Sequence, residues 1–293
     1  MSGKRVNWME RIAVIGGGLL GGSLALRLAG EKDVRLWARR EASVALAQEL
    51  GVEQASTDLA ATLAGVELVV LSVPVGVMPG LVDRMLEAGL PEDCLVTDVG
   101  SVKAVVHREV APRLRERGRV FVGSHPMAGG EKQGMEAARR DLFEGAMCFL
   151  TGREGAQTGE GECLETFWRE LGCRTEWIDP LAHDRVVARI SHLPHVMAAV
   201  TARAALANPE DARYGGGGLR DTTRVAGGHP GMWAEILLEN REAVGRSLVE
   251  ARDFLGEILA SLESGDHEAV LRWLTEASEL HASGRAVIQN ECG

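Results

Sequence analysis

Arg11-Ile12-Ala13-Val14-Ile15-Gly16-Gly17-Gly18-Leu19-Leu20-Gly21-Gly22-Ser23-Leu24-Ala25-Leu26-Arg27-Leu28 is the stretch that decides the fold. A short apolar run, 12–15, meets glycines at 16, 18 and 21 and passes into apolar residues at helical spacing. That is the strand-turn-helix setting in which G-x-G-x-x-G carries meaning. In it the first glycine allows a tight turn, the second lets the backbone approach a pyrophosphate, and the third lets helix and strand pack closely, with the phosphates on the helix's N-terminal amides. Gly16, Gly18, Leu19, Leu20 and Gly21 are therefore candidate dinucleotide contacts. The plain alternative is a glycine-rich turn that holds nothing.

Working outward, strands are expected at 34–37, 68–74, 94–98, 119–122, 147–150 and 174–178, with helices at 41–50, 102–115 and 163–171 between them. Alternating strands and helices predict an α/β chain with an N-terminal Rossmann-type doubly wound sheet, whose ligands sit beyond the carboxyl ends of the strands. Ser72, Val73 and Pro74 at the end of the third strand and Asp98 at the end of the fourth thereby join the cofactor set. A loop is expected over 152–161. From Asp179-Pro180, an N-cap followed by proline at the first helical position, only helical periods remain: one helix to about 207, a segment at 230–264 and another at 266–289. The expected division is a dinucleotide-binding domain at 1–179 and an all-α substrate and dimerisation domain at 180–293. Long amphipathic helices without a sheet of their own point to a homodimer.

Hydrophobic residues make up 45% and charged residues 25% of the 293, ordinary for a water-soluble fold. No apolar run approaches the roughly 18 residues of a membrane span. The first ten residues hold Lys4 and Arg5 but no apolar core of a signal peptide, so the expected location is the cytoplasm. Five cysteines without C-x-x-C spacing suggest neither a disulfide framework nor a zinc ribbon. The net charge of −10 argues against a nucleic-acid partner and leaves a small anionic substrate open.

Three clusters could carry chemistry. Gly123-Ser124-His125-Pro126 follows the fifth strand and places a histidine at the sheet edge facing the cofactor, suited to a general base with a pKa near 6.5. Ser101, in Asp98-Val99-Gly100-Ser101-Val102-Lys103, stands near it or simply caps the following helix. Ile190-Ser191-His192-Leu193-Pro194-His195 sets a proline in a helix, where it breaks a hydrogen bond and kinks the axis. His192 and His195 could bind a metal, but no carboxylate or cysteine cluster completes a ligand set, and none is expected. Arg220 and Arg224 offer planar forks for a carboxylate, or form a solvated face with Asp221.

Taken in order, these motifs resemble the prephenate and arogenate dehydrogenase family of tyrosine biosynthesis, from about Arg11 to the C-terminal helices, with Trp233 among the matching positions. The resemblance implies NAD(P)-dependent oxidative decarboxylation of prephenate, arogenate or both. It implies that His125 accepts the hydrogen bond of the substrate's ring hydroxyl, that Ser101 assists it, that Arg224 holds the ring carboxylate and that His195 faces the substrate side chain. Ser191, Gly217, Asp221 and Glu131 complete the candidate substrate contacts. Two other readings stay open. A β-hydroxyacid dehydrogenase would need a lysine in the helical half, whereas Lys4, Lys32, Lys103 and Lys132 all precede residue 133; a nucleotide sensor would bind without turnover.

The cofactor is expected to be NADP, with NAD possible. An NAD site places Asp or Glu about 20 residues past the glycines; here Ala38-Arg39-Arg40 ends the second strand, a neutral residue followed by two guanidinium groups able to hold a 2′-phosphate. Against this, Arg39 and Arg40 could merely open a solvated helix, with Glu41 taking the ribose contact.

Overall fold

The computed structural model describes residues 9–130, 132–152 and 158–291. They form two compact units, Met1–Arg241 and Glu242–Gly293. In unit one, β1 (Arg11–Ile15), β2 (Asp33–Trp37), β3 (Ala55–Ser56), β4 (Leu68–Leu71), β5 (Leu95–Asp98) and β6 (Val120–Phe121) make a six-stranded sheet in the order β3-β2-β1-β4-β5-β6. All pairings within it are parallel. Side chains alternate across a strand, and both faces are covered. Ile12, Val14, Leu68 and Val70 enter one core cluster, Ala13, Ile15, Val69 and Leu71 the other. α1 (Leu19–Leu28), α2 (Glu41–Glu49), α3 (Leu59–Leu63) and α4 (Met78–Glu87) connect the first strands. The strand order reverses between β1 and β4, the switch point at which such sheets bind ligands.

Several elements depart from the sequence expectation. The helix expected over 102–115 is two, α5 (Ala104–Glu109) and α6 (Ala111–Arg115), because Pro112 in the first turn of α6 has no N–H to continue the ladder. The strand at 119–122 ends at Phe121, and the chain enters a second sheet: β7 (Gly123–Pro126), β8 (Met147–Thr151) and β9 (Arg174–Ile178), β7 antiparallel and β9 parallel to β8. His125 accordingly lies within a strand, opposite Phe149, rather than in a loop past one. α7 (Gly159–Glu170) precedes β9 and takes in the end of the loop expected at 152–161; residues 153–157 of that loop, and Cys292, lie outside the described residues.

The helix expected from 180 to 207 is α8 (Pro180–Val187), a π-helical turn at Ala188–His192, and α9 (Leu193–Ala205). Pro194 offers no N–H to the carbonyl four residues back, and the widened turn before it absorbs the missing bond. After α10 (Gly217–Thr223), the segment expected at 230–264 breaks at Asn240 into α11 (Pro230–Glu239) and α12 (Arg241–Ser264). The buried Asn240 amide there donates to the carbonyl of Asp184 at 2.8 Å. Unit two holds the rest of α12 and α13 (His267–Glu291), with Phe254, Leu259, Leu262, Leu274 and Leu280 exposed. Among the described residues no helix is long and apolar enough to cross a membrane.

Candidate active site

The glycine turn has the contacts its sequence predicts. Gly16 adopts φ +119°, closed to most side chains, and a Cβ there would lie 2.2 Å from the Ser72 carbonyl oxygen. At Gly21 a Cβ would come within 2.0 Å of the Gly16 oxygen and 2.8 Å of the Ser72 hydroxyl. Ser72 and Val73, just past β4, thus press directly on the turn. Gly18 differs: it occupies the N-cap of α1 in an extended conformation, and a Cβ on it would meet nothing within 4 Å. Two glycines are required by the fold itself, while Gly18 leaves a bare backbone beside the N-terminal amides of α1, the surface a pyrophosphate requires. The residues therefore fit a dinucleotide. Ala38 is buried beside Gly17 at the end of β2, and Arg39 and Arg40 follow, exposed. The Glu41 carboxylate accepts a hydrogen bond from the Thr57 hydroxyl at 2.7 Å.

Past β5 the side chains form a buried network. Asp98 and Lys103 pair with neither side chain exposed, and the Lys103 ammonium also donates to the Ser124 carbonyl at 2.8 Å. The Ser124 hydroxyl donates to the Asp98 carbonyl at 2.6 Å and meets Thr97 Oγ1 at 2.7 Å, tying β7 to the end of β5. Ser101 does not cap α5: Lys103 holds the N-cap position, and the Asp184 carboxylate of α8 accepts from the Lys103 and Ala104 amides at 2.7 and 2.9 Å. The cap is supplied from 80 residues away.

Asp184 also accepts from His183 Nδ1 at 2.8 Å, and His183 Nε2 lies 2.8 Å from His125 Nδ1. Burial, with the neighbouring His183 and Lys103, drives the His125 imidazole well below its ordinary range, so the expectation of a pKa near 6.5 is corrected downward. Burial likewise lowers His183. Burial works to raise Asp184, but the hydrogen bonds from His183 and the two amides outweigh it and hold the carboxyl low. His192 accompanies them, its Nδ1 3.2 Å from the Asn240 amide, and burial takes it to about 4.

His195 stacks on Trp233, the rings 3.6 Å apart and within 8° of parallel. Arg224, opening a 3₁₀ turn after α10, lines an open cleft of about 530 Å³ with Leu19, Gly129, Gly130, Lys132 and Arg139. The structure thus brings Arg224 to the start of α1 and the strand-end loop beyond His125. Asp221 does not join them; it pairs with Arg220 at 3.4 Å, both largely exposed. Ser191 lies half-buried in the π-helical turn and Gly217 is exposed at the start of α10. Glu131 lies outside the described residues.

Sequence reasoning missed His183 and Asp184. Their signal was present: Val187 and Ala188 mark the buried stripe of α8, and one turn earlier that stripe is filled by a histidine and an aspartate.

A doubly wound sheet with a bare-backbone glycine turn at its switch point, and a buried histidine on the strand that follows it into a second sheet, defines a nicotinamide-dependent dehydrogenase. Residues 23–177 match the family model described as prephenate dehydrogenase, nucleotide-binding domain, and residues 179–276 the one described as prephenate dehydrogenase, dimerization domain. The chain belongs to the prephenate dehydrogenase family. It is 31% identical to prephenate dehydrogenase of Bacillus subtilis, covering 92% of this chain and 75% of that one, and 30% identical to cyclohexadienyl dehydrogenase of Zymomonas mobilis, covering 92% and 94%. It is also similar to the crystal structure of prephenate dehydrogenase from A. aeolicus in complex with hydroxyphenyl propionate and NAD+, with a TM-score of 0.85, 30% identity and coverage of 94% and 98%.

Proposed function

We propose that this oxidoreductase carries out the oxidative decarboxylation of prephenate to 4-hydroxyphenylpyruvate, of arogenate to tyrosine, or of both. The observation that carries the reading is His125: a buried imidazole, kept neutral at working pH, on β7, which Ser124 ties to the end of β5. As the ring carbon loses its hydride, its hydroxyl becomes acidic, and a neutral imidazole that accepts the proton lowers the barrier. The nicotinamide, when bound, supplies the hydride acceptor. Ser101 assists His125; Arg224 grips the ring carboxylate in a cleft that Lys132, Glu136 and Arg139 also line; His195, held flat by Trp233, meets the substrate side chain. Aromatisation then expels carbon dioxide. Residues 1–179 bind the dinucleotide, and 180–293 complete the substrate site and form a homodimer, for which the exposed leucines of α12 and α13 supply an apolar face.

The cofactor is NADP in preference to NAD. No acid stands at position 38, and two guanidinium groups follow on the surface; the Glu41 carboxylate beyond them accepts from the Thr57 hydroxyl. Incubating the protein with each substrate and each oxidised cofactor, and following reduced-nicotinamide absorbance, tests both parts. Turnover of prephenate or arogenate with a higher kcat/KM for NADP is expected. No turnover of either substrate refutes the activity, and a clear preference for NAD refutes the cofactor choice. Arg39→Ala combined with Arg40→Ala should weaken NADP by a few kcal/mol and leave NAD nearly unchanged, at about 1.5–3 kcal/mol per charged hydrogen bond.

A further inference from the structure

Resting on that reading, we propose that His183 is a positioning residue that fixes the protonation pattern of His125 and takes up the charge its reaction creates. The geometry runs in one direction. The Asp184 carboxylate, anchored by two backbone amides, can only accept, so His183 Nδ1 must carry a proton toward it. A neutral His183 then has a bare Nε2, which at 2.8 Å can only accept from His125 Nδ1. His125 is left with its proton on Nδ1 and a lone pair on Nε2, for which no hydrogen bond is found among the described residues and which is available to a substrate hydroxyl. Without His183, nothing in the contact set of His125 Nδ1 distinguishes the two tautomers, and one of them presents a donor where an acceptor is needed.

The same chain disposes of the proton. The substrate O–H bond breaks with its electron pair remaining on oxygen, and the proton bonds to His125 Nε2. The proton on His125 Nδ1 then passes to His183 Nε2. His125 returns to neutrality as the other tautomer, and the positive charge rests on His183 against the Asp184 carboxylate. The Lys103 ammonium, paired with Asp98 and donating to the Ser124 carbonyl, disfavours a cation on either ring, and the Asp184 carboxylate opposes that effect at His183. Other titratable groups acting on this cluster include His192, which the Asn240 amide keeps as an acceptor at Nδ1, His107, which burial takes to about 4, and Glu239, which burial raises to about 7.

The test begins with the unmodified protein. Two-bond nitrogen–proton correlation spectra of the ¹⁵N-labelled chain at neutral pH, with His125 and His183 assigned from His125→Asn and His183→Gln, report which ring nitrogen holds each proton. Both histidines are expected to be neutral with the proton on Nδ1. A proton on His125 Nε2 overturns the proposal, and this measurement needs no substrate, so it stands apart from whether the chain turns over prephenate or arogenate. In kinetics, His183→Phe should lower kcat by about 10²-fold with KM little changed. His183→Gln, whose side-chain oxygen can still accept from His125, should recover part of that loss and populate the same His125 tautomer. A Phe variant with full kcat, or a Gln variant no better than Phe, counts against the role; a merely structural residue would shift stability and leave the tautomer unmoved.

Discussion

The glycine turn at β1–α1 and the His125–His183–Asp184 chain lie in the same unit and are built from different materials. At the turn, the functional surface is backbone. Its demands are steric, local in sequence, and met by leaving side chains out, so a substitution fails by collision. In the histidine chain the functional surface is a run of side-chain hydrogen bonds joining β7 to α8 across 58 residues, in which, on the proposal above, each member has its proton placed by the next. A substitution there fails by loss of direction, with the packing largely preserved. One region should therefore report damage as altered folding and cofactor affinity, the other as altered chemistry.

The largest expected effect tests the second half of that contrast. His125→Asn should lower kcat by roughly 10² to 10⁴-fold while cofactor affinity, titrated by fluorescence, stays near that of the unmodified protein. Substantial remaining turnover would dissolve the distinction. The acid limb of kcat/KM should lie below pH 6.5, because His125 must be neutral to act and its pKa is depressed.

Within the turn, Gly21→Ala and Gly18→Ala divide fold from ligand. At Gly21 the new methyl meets backbone at 2.0 Å, so thermal or denaturant unfolding should show a loss at or above the roughly 1–3 kcal/mol of an overpacked core. At Gly18 the methyl meets nothing within 4 Å; stability should change by less than about 1 kcal/mol, with the effect concentrated in cofactor affinity. Equal destabilisation by both would mean that Gly18 serves the fold alone.

Acid should unsettle the histidine side of the unit. His107, hydrogen-bonded to Thr151 at 2.9 Å, and His192 both sit at about 4, against an ordinary 6.5, chiefly through burial. Between those values the unfolded chain binds protons that the folded chain does not, so the contribution of these two rings to stability falls as pH drops from about 6.5 to about 4 and levels off below. At about 1.36 kcal/mol per unit the loss is on the order of 3 kcal/mol for His192 and less for the half-buried His107. Denaturant midpoints that stay constant across this window would show that neither ring is held neutral.

The smallest effect concerns Arg224. The ring carboxylate surrenders its electrons during decarboxylation, so a cation holding it cannot favour the transition state over the ground state. Arg224→Gln should raise KM by about tenfold or more and lower kcat far less. A collapsed kcat at unchanged KM would move Arg224 out of the binding cleft and into the chemistry.

The same contrast explains what could be read from the sequence. The glycine turn, the parallel sheet and the positions past β4 and β5 were legible because period, glycine spacing and strand ends are local signals. Family resemblance identified His125, but its setting in an antiparallel strand was not legible, since pairing with β8 depends on residues more than 20 positions away. The breaks at Pro112 and Pro194 were foreshadowed by proline; the break at Asn240 was not, because its cause is a hydrogen bond to Asp184. His183 and Asp184 read as ordinary polar residues of a helix until the buried side of α8 was known.

The π-helical turn at Ala188–His192 amounts to one residue inserted into a continuous rod. Each residue of an α-helix advances the azimuth by about 100°, so the insertion sets the phase of everything that follows it. Excising a single residue there would restore regular winding and lose almost no contact of its own. It would also swing the face of α9 by more than a quarter turn and carry His195 off the Trp233 ring. The length of that segment is therefore a coordinate of the molecule in its own right: the number of its residues fixes the phase at which His195 meets the Trp233 ring.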